Sequence, residues 1–476
     1  MLFNSMAYAI FLPIVFIVYW LLPQKFRWPL LLGVSYYFYM SWNPKYIILI
    51  LLTTAVSYFA GLLIEGQKGS VKKVVLTITC IVCLGTLFIF KYFNFFTESI
   101  SYIFSKISIK LSPVTVSLLL PVGISFYTFQ TLSYVIDVYR GDIPAEKNFG
   151  VYATFISFFP QLVAGPIERS KNLLPQIKSE KNFDYDMAAY GLKLMAWGYF
   201  KKLAIADVIS VYVDRAYANI NTCTGLDLLI AVFFFTIQIY CDFSGYSDIA
   251  IGTAKLMGIN LMTNFKSPYF SISIKEFWSR WHISLSTWFR DYVYIPLGGN
   301  RVSKGRGYLN LMVTFLVSGL WHGANYTYIV WGGIHGLFQI IEKMFGIEKK
   351  HKGKLMKLLS WIIVFGFCNF AWIFFRASSM REAMEVIDGI AVGFGNLSTF
   401  SYMTIGLTKE KLLFLMALIT CLAVFDYQNM KYDVIEKISK QKTLIRWPIY
   451  IGIVVITYFI HVVFGVRNVS FVYFQF

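Results

Sequence analysis

Histidine is the side chain whose proton exchange falls nearest neutral pH, and this sequence holds five: His282, His322, His335, His351 and His461. His351 stands in the basic run HKGK and reads as solvated. His461 lies alone in the apolar run VITYFIHVVFGV, where a packed histidine bonded to a neighbouring helix is the simpler account. His322 differs from both. It follows LNLMVTFLVSGL and stands in SGLWHGANY, flanked by Trp321 and Gly323, at the turn of a predicted helical hairpin over 308–343. Ionisable groups inside a membrane are costly and tend to mark pathways or sites. A neutral imidazole there is suited to taking a proton from an attacking hydroxyl and returning it to a leaving thiolate. A structural histidine bonded across helices fits the same motif, which alone leaves both readings open.

Competing chemistry is absent from the sequence. There is no G-x-S-x-G elbow, no H-E-x-x-H and no Gly-rich phosphate loop. His282 and His335 supply too few ligands by spacing for a metal, so none is expected. The six cysteines fall mostly in apolar runs, where they behave as small hydrophobes. Cys80 and Cys83 have redox-motif spacing but lie in a predicted span without a thioredoxin-like context. Acyl transfer through a histidine base is the chemistry that remains.

The elements that must position these residues are membrane helices. The 476 residues are 57% hydrophobic and 14% charged, with mean hydropathy +0.60, against about 25% charged in a soluble domain. A spanning helix needs roughly 20 mostly apolar residues. Such runs occur near 6–22, 28–41, 46–64, 74–92, 115–138, 150–166, 187–206 and 227–248, then in the hairpin, and near 358–376, 411–426 and 447–466. The expected count is about 10 to 13, because shorter runs can be re-entrant. No positive n-region precedes the first run, which reads as a retained span.

The net charge of +18 is read as topology, since Lys and Arg collect in cytoplasmic loops, and no nucleic-acid partner is expected. Lys25 and Arg27, then Lys68, Lys72 and Lys73, make alternate loops basic. The pattern returns at Lys349–Lys357 and Lys437–Arg446. This predicts an N-terminus outside the cytoplasm. Arg301, Lys304 and Arg306 then hold the start of the hairpin inside, and counting from Tyr308 puts His322 about 20 Å into about 30 Å of hydrocarbon. No linker or repeat divides the chain, so one membrane domain over 1–476 is expected.

The segment 262–307 is neither a clean span nor a loop. Trp278, Trp281, Leu285, Trp288 and Tyr292 recur at helical spacing and predict one amphipathic helix, with Arg280, Ser284, Thr287 and Asp291 on another face. Pro296 and Gly298-Gly299 end it. Asp242 and Asp248 need partners if buried, and Arg280, Arg290 and Arg169 are the candidates. Arg and Lys near the cytoplasmic mouth are alternatively placed to meet donor phosphates.

Three stretches together, FFPQLVAGPIERS, EFWSRWHISLSTWFRDYVYIPLGGNR and GLWHGANYTYIVWGGIHG, resemble the membrane-bound O-acyltransferase superfamily. Within it they resemble the bacterial alginate and peptidoglycan O-acetyltransferase membrane subunits. PVGISFYTFQTLSYVIDVYRGD, YCDFSGYSDIAIG and the closing FVYFQF look like the same branch. The resemblance is strong over about 120–345. It implies an all-α polytopic ring of helices, with re-entrant or interfacial helices around a central tunnel. His322 matches the family's principal catalytic histidine, and His282, in RWHISLS, matches the second histidine of this branch, with a positioning or hydrogen-bonding role. His335, Trp321, Asn325, Arg280, Asp291 and Asp242 are the expected cavity or supporting residues.

The function implied is transfer of an acyl group, most simply acetyl, from a cytoplasmic thioester such as acetyl-CoA to a surface or secreted polysaccharide or peptidoglycan. No tightly bound cofactor is expected. The location implied is the bacterial cytoplasmic membrane, and the partner implied is a separate extracytoplasmic SGNH-type acetyltransferase. The nearest alternative is a teichoic acid D-alanyl transferase with a carrier-protein donor. An alternative of another class is a polysaccharide transporter or flippase, for which paired broken helices in duplicated halves are expected and not seen.

Overall fold

The computed structural model describes residues 1–163, 165–347, 353–395, 405–464 and 471. His351, and most of FVYFQF, lie outside the described residues. Among those described the chain is all-helical, with no strand. Its first half forms α1 (Met6–Leu21), α2 (Gln24–Met40), α3 (Ile47–Glu65), α4 (Ser70–Leu87), α5 (Phe93–Lys106), α6 (Ile124–Arg140), α7 (Phe149–Ser157), α8 (Phe159–Leu162), α9 (Ser170–Lys178), α10 (Tyr185–Tyr199) and α11 (Asp207–Ala218). The second half forms α12 (Gly225–Leu256), α13 (Ile274–Arg280), α14 (Ile283–Phe289), α15 (Lys304–His322), α16 (Tyr326–Phe345), α17 (Lys354–Arg376), α18 (Met380–Gly395), α19 (Lys409–Asn429), α20 (Val434–Ser439) and α21 (Thr443–Phe464).

Among the described residues, six helical stretches are long and apolar enough to cross a membrane: Pro44–Glu65, Ser70–Lys106, Gly225–Leu256, Lys354–Arg376, Lys409–Asn429 and Thr443–Phe464. The shorter α1 is apolar as well. The chain is a multi-pass membrane protein. Exposed Leu, Ile, Val and Phe on α19 and α21 are what lipid-facing helices present.

The helices fall into two compact units. One comprises Met1–Leu192 with Ile249–Met262, and the other Lys193–Asp248 with Thr263–Phe476. In the first, α3 packs on α4, α6 and α7, and Tyr152 donates to the Ser57 hydroxyl at 2.7 Å. The second holds the α15–α16 hairpin, α12's first part, and α13, α14 and α17.

Three predicted elements are corrected. The run 115–138 is helical only from Ile124. Pro121 disfavours helix at the residue before it, and Gly123 enters α6 in the left-handed region at φ 76°. The run 150–166 is broken at Phe158, ψ 109°, into α7 and α8. Pro160 has no N–H with which to continue α7. The single amphipathic helix predicted from the stripe Trp278 to Tyr292 is two short helices, α13 and α14, followed by a π-helical turn at Arg290–Tyr294. The break falls on His282.

Candidate active site

His322 is the last residue of α15, followed by Gly323 in extended conformation. The hairpin that presents it is held close by glycines. A Cβ at Gly319 would collide with the Tyr328 carbonyl, one at Gly332 with the Phe315 carbonyl, and one at Gly323 with the Tyr328 ring. The glycine of the Trp-His-Gly motif is therefore required by close approach of α16. Asn325 caps α16: its side-chain oxygen accepts from Thr327 N at 3.1 Å, and its amide donates to the Ser378 carbonyl at 2.6 Å.

The His322 imidazole is buried, 3% exposed. Trp321, Trp331 and Phe375 meet it edge-on at 4.9, 5.0 and 5.3 Å between ring centres. Such walls exclude water and hold the ring in one orientation.

His282 is fully buried and sits at φ 43°, ψ 53°. A non-glycine residue in the left-handed region is uncommon, and strain of this kind clusters at functional sites. The break is pinned from the neighbouring strand of chain. The Asn264 carbonyl accepts from Ile283 N at 3.0 Å, its side-chain oxygen accepts from the Ser284 hydroxyl at 2.7 Å, and Lys266 N donates to the Arg280 carbonyl at 3.0 Å. Freed from a continuous helix, the His282 ring lies against Phe243 at 4.6 Å and Trp321 at 6.2 Å. Trp321 thus touches both histidines.

His335 is fully buried one helical turn after Trp331. Its Nδ1 accepts from the Trp278 indole at 3.3 Å, and it meets Trp331 at 5.1 Å. Its ring thus contacts two tryptophans, Trp278 and Trp331.

A cavity of about 740 Å³ opens beside this cluster, lined by Lys275, Trp278, Arg290, Phe315, Ser318 and Lys343 among others. Lys275, Arg290 and Lys343 are exposed. Ser318 lies one turn before His322, about 6 Å along the axis. The cavity therefore runs from a cationic rim towards the catalytic candidate. Glu342 in its wall accepts from Ile274 N at 2.7 Å and Lys275 N at 3.2 Å, which fixes the start of α13.

The carboxylates expected to pair with arginines pair instead with lysines. Lys202 lies 2.7 Å from Asp207 and 2.6 Å from Asp242, and Lys201 lies 2.7 Å from Asp248. The π-helical turn Phe200–Ala206 buries both consecutive lysines, which an α-helix separates by about 100°. Arg280 pairs with Glu276 and Arg290 with Asp291 at the surface, within reach of their own chain neighbours. Sequence reasoning missed Lys201, Lys202 and Asp207. The signal was there, as two adjacent lysines interrupting an otherwise apolar run. Phe243, Trp331 and Phe375 were missed too, since no pattern distinguishes them from other core aromatics.

The six cysteines are free thiols, and no group of metal-ligating residues occurs among the described residues.

An all-helical, membrane-crossing chain with a buried histidine at a hairpin turn defines a class. Residues 146–380, which include His282, His322 and His335, match the profile of the membrane-bound O-acyltransferase family. The chain belongs to this family and is an O-acyltransferase. It is 41% identical to "Probable alginate O-acetylase AlgI" of Pseudomonas aeruginosa over 393 residues, 82% of this chain and 75% of that one. It is 35% identical to the peptidoglycan O-acetyltransferase of Helicobacter pylori, over 84% of this chain and 81% of that one. Similarity to the teichoic acid D-alanyltransferase of Streptococcus thermophilus is lower, 32% over 54% of this chain and 65% of that one.

Proposed function

We propose that the protein moves acetyl from a cytoplasmic thioester, with acetyl-CoA as the simplest donor, across the bacterial cytoplasmic membrane for O-acetylation of a surface or secreted polysaccharide or peptidoglycan. The observation that carries this reading is the contact of one tryptophan, Trp321, with the two buried histidines His282 and His322, beside a cavity that ends one turn short of His322.

His322 takes the proton of the attacking hydroxyl as its oxygen bonds to the thioester carbonyl carbon. The same proton passes to the departing thiolate as the C–S bond breaks, so the imidazole ends neutral. His282 donates a hydrogen bond that steadies the developing oxyanion. Lys275, Arg290 and Lys343 at the rim receive the donor's phosphates. Because the hairpin's basic start faces the cytoplasm in this reading, the rim faces the donor, and the N-terminus lies outside. The acceptor is reached through an extracytoplasmic SGNH-type transferase. Acetyl is preferred to D-alanyl because similarity to the proteins named as acetylating enzymes is higher and covers more of the chain.

The test is base-labile acetate on surface polysaccharide and peptidoglycan of cells carrying the intact chain or His322→Ala at matched membrane levels. Loss of ester acetate in the variant supports the reading, and the polymer affected names the acceptor. Normal acetylation by the variant makes His322 structural and removes the mechanism. Esterified D-alanine in place of acetate selects the other donor.

A further inference from the structure

A second cavity, about 420 Å³, shares no lining residue with the first and lies between α11, α19 and α21. Its α11 wall is Val208, Val211, Tyr212 and Arg215, the i, i+3, i+4, i+7 stripe of one helix face. Arg215 closes that stripe at the end where α19 begins and α21 finishes, since Arg215 donates to the Ile405 carbonyl at 3.3 Å and Phe414 stacks on Phe464 at 5.8 Å. Lys411 stands at the same end, one turn before Phe414. The groove is therefore apolar along about 10 Å of α11 and cationic at one mouth, with Glu410 the single carboxylate among its lining residues.

Two of its walls, α19 and α21, are candidate spans with little of their surface buried. Phe459 and Val463 are 63% and 59% exposed. An occupant must match an apolar slot open to lipid and a mouth carrying two cations against one carboxylate. We propose that this groove holds an anionic phospholipid of the bilayer, with an acyl chain along Tyr212 and Phe459 and its phosphate at Arg215 and Lys411. Arginine engages one backbone carbonyl here and keeps further N–H donors for a phosphate.

The full chain in nanodiscs of equal POPC and POPG, released for native mass spectrometry, tests this. The expected result is retained POPG over POPC by about 25-fold, two cations at about fivefold each. Each cation near an anionic headgroup is worth about fivefold, so Lys411→Gln reduces the preference about fivefold. Arg215→Gln/Lys411→Gln abolishes it, whereas Lys110→Gln, which removes a charge elsewhere, does not. Val463→Trp fills the slot and lowers total bound lipid with both cations present. Equal retention of the two lipids by the intact chain overturns the proposal, as does an unchanged preference in Lys411→Gln, whose exposed side chain leaves folding unaffected. In detergent, POPG raises the thermal midpoint and POPC does not. An equal rise with inorganic phosphate alone overturns the lipid assignment.

Discussion

The indole of Trp321, on α15, meets the imidazole of His282, at the break between α13 and α14, edge-on with ring centres 6.2 Å apart. Because Trp321 also meets His322 at 4.9 Å, a change in its volume reaches both histidines at once. Small misplacements of reacting groups are expensive, on the order of 100-fold in rate per ångström. Trp321→Leu is expected to lower the initial rate of ester-acetate formation at least tenfold at unchanged membrane abundance. A rate within a factor of two of the intact chain would show the indole to be filler.

The left-handed backbone at His282 limits what replaces it. Asn tolerates that region far better than a branched or bulky apolar residue, and its amide still donates a hydrogen bond. His282→Asn is expected to fold and keep a reduced rate, while His282→Leu loses both. Paired measurements of thermal midpoint and acetyl-transfer rate separate the two effects. Equal rates for the two variants would remove the hydrogen-bonding role.

Gly332 carries the hairpin. A methyl group there meets the Phe315 carbonyl, whereas one at Gly366 meets nothing within 4 Å. Overpacking costs about 1–3 kcal/mol. Gly332→Ala is therefore expected to lower the thermal midpoint and the rate together, with Gly366→Ala indistinguishable from the intact protein in the same detergent.

Lys202 is 1% exposed between Asp207 and Asp242. Removing one member of a buried ion cluster leaves uncompensated charge and costs about 3–5 kcal/mol. Lys202→Met is expected to abolish the monodisperse species in size-exclusion chromatography. Lys202→Met/Asp207→Asn/Asp242→Asn should recover a substantial part of it, and failure to do so would mean the lysine acts through packing.

Glu168, in the GPIERS stretch outside the spanning helices, accepts from Met262 N and from the Asn172 amide. Burial raises its carboxyl from the ordinary 4.5 to about 7 despite these donors. The folded protein thus holds a proton that the unfolded chain releases. The resulting stability is fully present below the ordinary value and is lost as pH rises through about 7. Glu168→Gln is expected to flatten the fall in thermal midpoint between pH 5 and 8 by a few degrees. An identical pH profile in the variant would exclude Glu168 as its source.

Periodicity and composition determined much by themselves. Apolar runs of membrane length place α1 to α4, α17, α19 and α21 within a few residues, because in lipid every backbone group must be satisfied within its own helix. The Trp-His-Gly turn marked His322, and the hairpin follows from two apolar arms flanking it. The tertiary structure alone decided what depends on neighbours distant in the chain. Asn264 breaks the predicted amphipathic helix and turns His282 inward, a contact no local pattern encodes. Asp242 finds Lys202 rather than an arginine because a π-helical turn, invisible to a 3.6-residue reading, buries consecutive lysines. Helical phase sets which face a residue occupies, while packing sets which residue it meets there.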